Sequence, residues 1–401
     1  MLKFTVCSVI FLGIFSSATA EDLANFEEVP VPVGPDAHEP YLHSTQDGRL
    51  LMSWMETSGD NPTLKFAALE DGSWSAPRNV TSSPDLFVNW ADFPSVSEFS
   101  DGTIIAQWLQ NTGNSAYSYD VRIALSQDNG ETWSAPIVPH RDGTKAQHGF
   151  VTLAPLADEV VAVWLDGRAY DGALVEAGAI AGQMQLRSAV IGSDGSAAPD
   201  VAIDFTSCSC CQTSAAVAGD ALLVAYRDRT DEEVRDISFT AFREGRWSAP
   251  VPVHHDNWEL SGCPVNGPAI DANDEKMVVA WFTGAGDVPA VKVAFSSDVG
   301  ASFGEALRID EGEPIGRVGA LMLDDGTALI SWVEWQDADE ALMACHVTPD
   351  GCDGPHRLAV NSEGNSINFP QIESTPDGVY FVWTQPLPDG RDTIRMLRSP
   401  R

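Results

Sequence analysis

The chain has 401 residues, with 23 basic and 58 acidic side chains and a formal net charge of −35. Such a charge repels phosphate backbones and anionic lipid, which argues against nucleic acid as a partner. The acidity is spread along the sequence, so it marks a solvated surface rather than a disordered tail, and 44% hydrophobic residues suffice for a large core.

The first twenty residues read MLKFTVCSVIFLGIFSSATA. Lys3 opens them, an apolar run follows from Phe4 to Phe15, and Ala18 and Ala20 give the small-x-small pattern of a cleavage site. The run is too short to span a bilayer, and no later stretch is apolar enough. The expectation is a signal peptide over 1–20 and an exported protein, periplasmic or secreted, without membrane insertion. Residues 21–401 then form a single β-propeller domain, for the following reason.

Seven short stretches run aliphatic and end in an aromatic. LLMSW ends at Trp54, IIAQW at Trp108, VVAVW at Trp164, LLVAY at Tyr226, MVVAW at Trp281, ALISW at Trp332 and VYFVW at Trp383. The intervals between them are 51 to 62 residues, a period that marks propeller blades or a solenoid. Within each unit a strand precedes a turn such as QDG (46–48), SDG (100–102) or DDG (324–326), and the anchored strand follows it. A polar loop, a third strand and often WSAP complete the unit, giving four antiparallel strands. No stretch shows a sustained helical period. The chain end supplies three strands of the last blade, and FEEVPVPV (26–33) supplies the fourth. The fold class is therefore all-β, a seven-bladed β-propeller whose ring is closed by the N-terminal strand. A six-bladed propeller with one irregular insertion is the alternative, and 171–183, rich in Gly and Ala, leaves the middle of blade three open.

Ser126 to Trp133 fits S-x-D-x-G-x-T-W, and Ser296 to Phe303 fits it with Ser and Phe as the last two fixed positions. EDGSW (70–74) and REGRW (243–247) look like eroded copies. These segments resemble the Asp-box, or BNR repeat, of sialidase-like propellers. The resemblance covers essentially all of 21–401. It implies that Asp128, Gly130, Trp133, Asp298, Gly300 and Phe303 shape outer hairpins away from the catalytic face. It also implies three arginines for a substrate carboxylate, a tyrosine nucleophile and an aspartate acid/base. The first arginine belongs to an Arg-Ile-Pro motif, and here Glu39 and Pro40 stand where its Arg and Ile would be. The last blade contains only Tyr380, inside a strand. Sialidase chemistry is poorly supported on these residues, and any enzyme of this kind would be a glycoside hydrolase.

In a propeller, the starts of first strands and the loops after anchored strands share one face. That face gathers Asp92, Asn266 and Arg317 from strand starts, and Arg168, Arg227, Arg229 and Glu334 from beyond the anchors, beside Tyr226. These are the candidate ligand-binding residues, and Asp166 and Asp228 are the candidate acid/base pair. Forked arginines beside carboxylates suit a hydroxyl-rich ligand, such as a glycan or another small polar molecule.

FTSCSCCQT (205–213) places Cys208, Cys210 and Cys211 at the start of blade four, and Cys263 opens blade five. Two readings stay open. In one, Cys263 bonds a cluster cysteine and a second bridge such as Cys208 to Cys211 consumes the rest. In the other, thiols remain to hold copper or zinc with His148 and His38. Cys345 and Cys352 flank a hairpin turn and are expected to pair. Three functions follow as candidates: a carbohydrate-binding or carbohydrate-processing propeller, a metal or thiol-redox propeller, and an envelope scaffold for a protein partner.

Overall fold

The computed structural model describes residues 26–113, 115–170, 182–363 and 366–400. The stretch read as a signal peptide, and 171–181 in blade three, lie outside those residues. The described strands form seven antiparallel sheets arranged as a seven-bladed β-propeller, and the six-bladed alternative does not apply. Blade one is His38–Ser44, Leu50–Ser58, Asn61–Glu70 and Arg78–Ser82, and blade two is Ser95–Glu98, Ile104–Asn111 and Tyr119–Ser126. Blade three is His148–Leu156, Glu159–Asp166, Met184–Gly192 and Val201–Ser207. Blade four is Ser214–Ala218, Ala221–Arg227, Ile237–Arg243 and Val251–Pro252, and blade five is Ala269–Asn273, Lys276–Thr283, Ala290–Ser296 and Leu307–Arg308. Blade six is Glu313–Met322, Ala328–Gln336, Asp339–Thr348 and His356–Asn361. Blade seven is Gln371–Thr375, Gly378–Pro386 and Asp392–Pro400, and Glu27–Glu28 completes it from the other end of the chain. Glu27 pairs with Arg398 and Glu28 with Leu397, so the first strand closes the ring. Among the described residues, no helix is long and apolar enough to cross a membrane.

The anchored strands form the core. Trp54, Trp164, Trp281, Trp332 and Trp383 are fully buried, and Trp108 and Tyr226 nearly so. A buried indole must still place its N–H on an acceptor. The acceptor comes from two residues further along, on the same face of the strand. Trp54 donates to Glu56 at 2.8 Å, Trp164 to Asp166 at 2.8 Å, Trp332 to Glu334 at 2.7 Å and Trp383 to Gln385 at 3.0 Å. In blade five, Asp256 on the incoming connection does the same for Trp281 at 2.6 Å. A cation often stands opposite the anchor on the third strand: Lys65, Arg122, Arg187, Lys292 and Arg395 pair in register with Trp54, Trp108, Trp164, Trp281 and Trp383. Lys65 and Lys292 neutralise Glu56 and Asp256 directly.

The two Asp-box turns are built alike. Asp128 Oδ1 accepts the Thr132 N–H at 2.8 Å and the Ser126 hydroxyl at 2.8 Å, and Asp298 Oδ1 accepts those of Ser302 and Ser296 at 2.8 and 2.7 Å. Hydrogen bonds, first from the Thr132 hydroxyl, hold the Asp128 carboxyl down to about 2. Gly130 and Gly300 have φ of 83° and 79°, and a Cβ on either would strike the ring of Phe66 or Phe239 on the preceding blade. Trp133 and Phe303 meet those same rings edge-on, with centroids 5.9 and 5.8 Å apart. The boxes are joints between blades.

Blade six lacks a cation opposite its anchor, since Met343 occupies that place. Trp332→Phe would leave the Glu334 carboxylate buried without its indole donor. We expect it to cost about 2–4 kcal/mol in urea denaturation. Glu334→Gln, which keeps an acceptor, should cost about 1 kcal/mol or less, and equal losses for the two would refute the role given to the indole bond.

Candidate functional site

First strands enter the wheel at one rim through irregular turns. In blades one, three and six the register slips between His38 and Tyr41, Gly149 and Thr152, and Gly316 and Gly319. The residue at each slip, Glu39, Phe150 or Arg317, has φ of 56°, 55° and 55°. Non-glycine residues adopt this conformation only where the surroundings impose it, and such bulges re-aim side chains at sites. Inside the ring of first strands lies a narrow channel of about 280 Å³, lined by Tyr41, His43, Phe150, Asp271, Phe369 and Glu373 among others. Burial pushes the His43 imidazole down to about 4 and the Asp271 carboxyl up to about 7, so the channel favours neutral groups.

Beside the channel mouth lies a wider groove of about 740 Å³. Trp90, Tyr117 and Tyr170 line it and are 41%, 71% and 49% exposed, which is unusual for aromatic residues. Asn89 and Gln147 supply amides, Tyr119 a phenol, and Cys210 and Cys263 part of one wall. Among the described residues, no lysine or arginine lines it. Trp90 comes from the segment before the first strand of blade two, while Tyr117 and Tyr170 come from the loops after the anchored strands of blades two and three.

Asp92 lines both the groove and the channel. Its Oδ1 accepts the Phe150 N–H at 2.6 Å and its Oδ2 the Tyr119 hydroxyl at 3.0 Å. Burial pushes its carboxyl up to about 7 against the pull of those two bonds. The Arg317 guanidinium lies 5.2 Å from the Trp90 ring and 5.9 Å from Phe369. Arg317 donates to the Ser366 hydroxyl and stands 3.8 Å from Glu340.

The other residues singled out in the sequence have different surroundings. Asp166 is fully buried, accepts from the Trp164 indole, and is paired with Arg168 at 2.7 Å. Burial raises its carboxyl, but Arg168 and then His148 outweigh that and hold it below its ordinary value. Arg168 also reaches Asp142 at 3.1 Å and Asp200 at 2.9 Å. Asp228 accepts from Ser238 at 3.1 Å, and burial, then Asp204, pushes it up to about 6. Neither Asp166 nor Asp228 lines the groove, so the pairing of these two as acid and base finds no geometric support. Arg227 is buried over Trp258 and donates to the Asn266 and Phe282 carbonyls at 2.7 Å each. Arg229 pairs with Glu233, Tyr226 bonds Asp204, and Glu334 takes the Trp332 indole. Asn266 accepts the Arg317 N–H at 2.8 Å and donates to the Ile315 carbonyl, tying blade five to blade six. Of the ligand-binding candidates, only Asp92 lines the groove.

The cysteines divide. Disulfides join Cys210 to Cys263 and Cys345 to Cys352, and Cys208 and Cys211 stay as buried thiols with their sulfurs 2.7 Å apart. The second cluster bridge is therefore not formed. His38 pairs with Glu39 at 3.4 Å. His148 stacks on His140 at 3.6 Å and bonds Asp142 at 2.8 Å. Neither histidine joins a described group of ligating atoms with the cysteines. With Cys210 bridged, two thiols without an imidazole fall short of the four ligands zinc takes.

No protein-family model matches the chain, and no curated protein matches it. Solved structures do. A protein of unknown function from Dyadobacter fermentans is 15% identical with a TM-score of 0.50, covering 92% of this chain and 95% of its own. An ulvan lyase of polysaccharide lyase family PL25 is 11% identical with a TM-score of 0.58 over the same shares, and it has also been solved bound to -[GlcA(1-4)Rha3S]-. The endosialidase of phage phi92 is 10% identical with a TM-score of 0.50, covering 94% of this chain and 69% of its own. At these identities the likeness is one of fold.

Asp92 gives a test of the rim geometry. Between its ordinary value of 3.8 and about 7, the folded protein keeps a proton that the unfolded chain has released, so stability falls as pH rises through that window. Asp92→Asn removes this contribution, with a ceiling of about 4 kcal/mol. Urea midpoints of both proteins measured across the window should converge at its acid end and favour the variant at its alkaline end. Parallel curves would mean that Asp92 ionises as it does in water.

Proposed function

We propose that this chain binds a carbohydrate chain in the rim groove, against Trp90, Tyr117 and Tyr170. The carrying observation is that three exposed aromatic residues from three separate segments converge on one groove. Aromatic faces pack against the apolar C–H faces of sugar rings, while amides and phenols beside them meet the hydroxyls. The absence of lysine and arginine from the lining, and a net charge of −35, favour a neutral glycan over a polyanion. That a polysaccharide lyase and an endosialidase share the fold supports the carbohydrate reading without fixing the sugar. Two disulfides suit an oxidising compartment, which supports export to the periplasm or the medium.

A second reading, cleavage of the bound chain, rests on Asp92. A carboxyl that titrates near neutrality beside the Tyr119 hydroxyl has the proton affinity that general acid–base chemistry uses.

A glycan array followed by calorimetric titration tests binding. Tyr117→Ala is expected to weaken affinity about tenfold, the worth of one stacked ring. It should leave the urea midpoint unchanged, because Tyr117 is 71% exposed. A blank array with folded protein would remove the proposal. Release of shorter products by the native chain, abolished in Asp92→Asn with binding kept, would favour the second reading over binding alone.

A further inference from the structure

The four cysteines at the junction of blades four and five hold one disulfide and two thiols within bonding reach of one another. Cys208 Sγ is 2.7 Å from Cys211 Sγ and 3.8 Å from Cys210 Sγ, and Cys210 is bridged to Cys263. Cys208 and Cys211 are buried, Cys210 is half-buried, and Cys263 is exposed on the wall of the rim groove. We infer that these sulfurs form an internal thiol–disulfide relay, which moves one disulfide between the buried pair Cys208–Cys211 and the groove-wall pair Cys210–Cys263.

The surroundings prepare Cys208 to start the exchange. Arg235 Nη1 donates to its sulfur at 3.5 Å, and the Cys208 N–H is fixed on the Arg227 carbonyl at 3.0 Å. The Cys211 contact first, and then the charges of Arg227 and Arg235, hold the Cys208 thiol below its ordinary value, whereas burial pushes Cys211 up. Cys208 is thus the nucleophile and Cys211 the partner that resolves.

The exchange balances without an outside oxidant. The Cys208 thiolate attacks Cys210 Sγ; the 208–210 bond forms, the 210–263 bond breaks, and Cys263 leaves as a thiolate that takes up the proton Cys208 gave up. Cys211, deprotonated in turn, attacks Cys208 Sγ; the 208–211 bond forms, the 208–210 bond breaks, and Cys210 leaves and is protonated. A dithiol now stands on the groove wall, and the disulfide is stored out of solvent. The relay does not depend on what the groove binds.

The test equilibrates the purified full chain in glutathione buffers from reducing to oxidising. Samples are quenched in acid, unfolded, alkylated with N-ethylmaleimide and mapped by peptide mass spectrometry. The expected result is a species with two free thiols in which label divides between Cys208 with Cys211 and Cys210 with Cys263. In Cys208→Ser that label on Cys263 is lost under the same buffers. In Cys211→Ser the exchange stops at its first step, so label stays on Cys263 but not on Cys210. Three outcomes overturn the relay: label confined to Cys208 and Cys211 wherever two thiols are free, both disulfides opening together with no such species, or an equivalent of copper or zinc retained on unlabelled Cys208 and Cys211. Retention of Cys263 label in Cys208→Ser molecules that still keep one cluster disulfide would overturn it as well.

Discussion

A tryptophan N–H in a dry core is the constraint from which most of the polar architecture follows. Six blades bury a tryptophan anchor and blade four a tyrosine, and a fully buried indole cannot reach water. On a strand, the nearest place for an acceptor is two residues on, where the side chain points to the same face. Glu56, Asp166, Glu334 and Gln385 occupy that place. An acid there is itself buried and calls for a counter-charge, which in blade one the third strand supplies from directly opposite the anchor, Lys65 for Glu56. Indole, acid and cation form a unit that is satisfied internally, which is the condition under which buried charge is tolerated. Blade three extends it furthest: Asp166, Arg168, Asp142, Asp200 and Arg187 are linked through bonds of 3.1 Å or less.

The same unit explains which parts of the molecule could be read from the sequence and which could not. The fold was legible because the anchors recur at a nearly fixed interval and because FEEVPVPV matches the strand missing from the last blade. Asp166 and Glu334, read from the sequence as rim site residues, each accept a buried indole N–H. The pattern that corrects them, an acceptor two residues after the tryptophan, is present in blades one, three, six and seven, and it becomes meaningful once burial of the indole is known. The groove aromatics had no such periodic mark. Trp90, Tyr117 and Tyr170 stand in loops of different length, and their convergence depends on the path of each loop. A weaker signal did exist: all three lie in polar segments on the rim where site residues were sought, and aromatic residues in such segments are not needed by the core. Asp92 could be placed on the rim from the sequence because a strand start is fixed by the repeat.

Charge bears on the ligand proposed for this rim. At the start of blade one, Glu39 sits almost fully buried beside His38, and burial raises its carboxyl. Arg317, which lies over the groove-lining Trp90, is already engaged by Ser366, Glu340 and two aromatic faces. An incoming carboxylate would have to displace those partners within a strongly negative protein. A neutral sugar faces no such cost, since stacking and amide hydrogen bonds depend little on the long-range field. The channel behind the mouth points the same way, because its His43, Asp92 and Asp271 are all held toward their neutral forms.

At the cysteine junction, hydrogen bonds run beside the covalent tie between blades four and five. Arg227 spans the same gap as the Cys210–Cys263 bridge, reaching from the end of its strand in blade four to the Asn266 and Phe282 carbonyls of blade five. Gln212 adds bonds to the Ala91 carbonyl and from the Gly267 N–H, drawing blade two to the same point. The rim segments therefore keep their places through hydrogen bonds whichever pair of sulfurs is joined. That redundancy is the physical condition for exchange: sulfur atoms can trade partners over a few ångströms only if the backbone that presents them does not follow the bond that breaks.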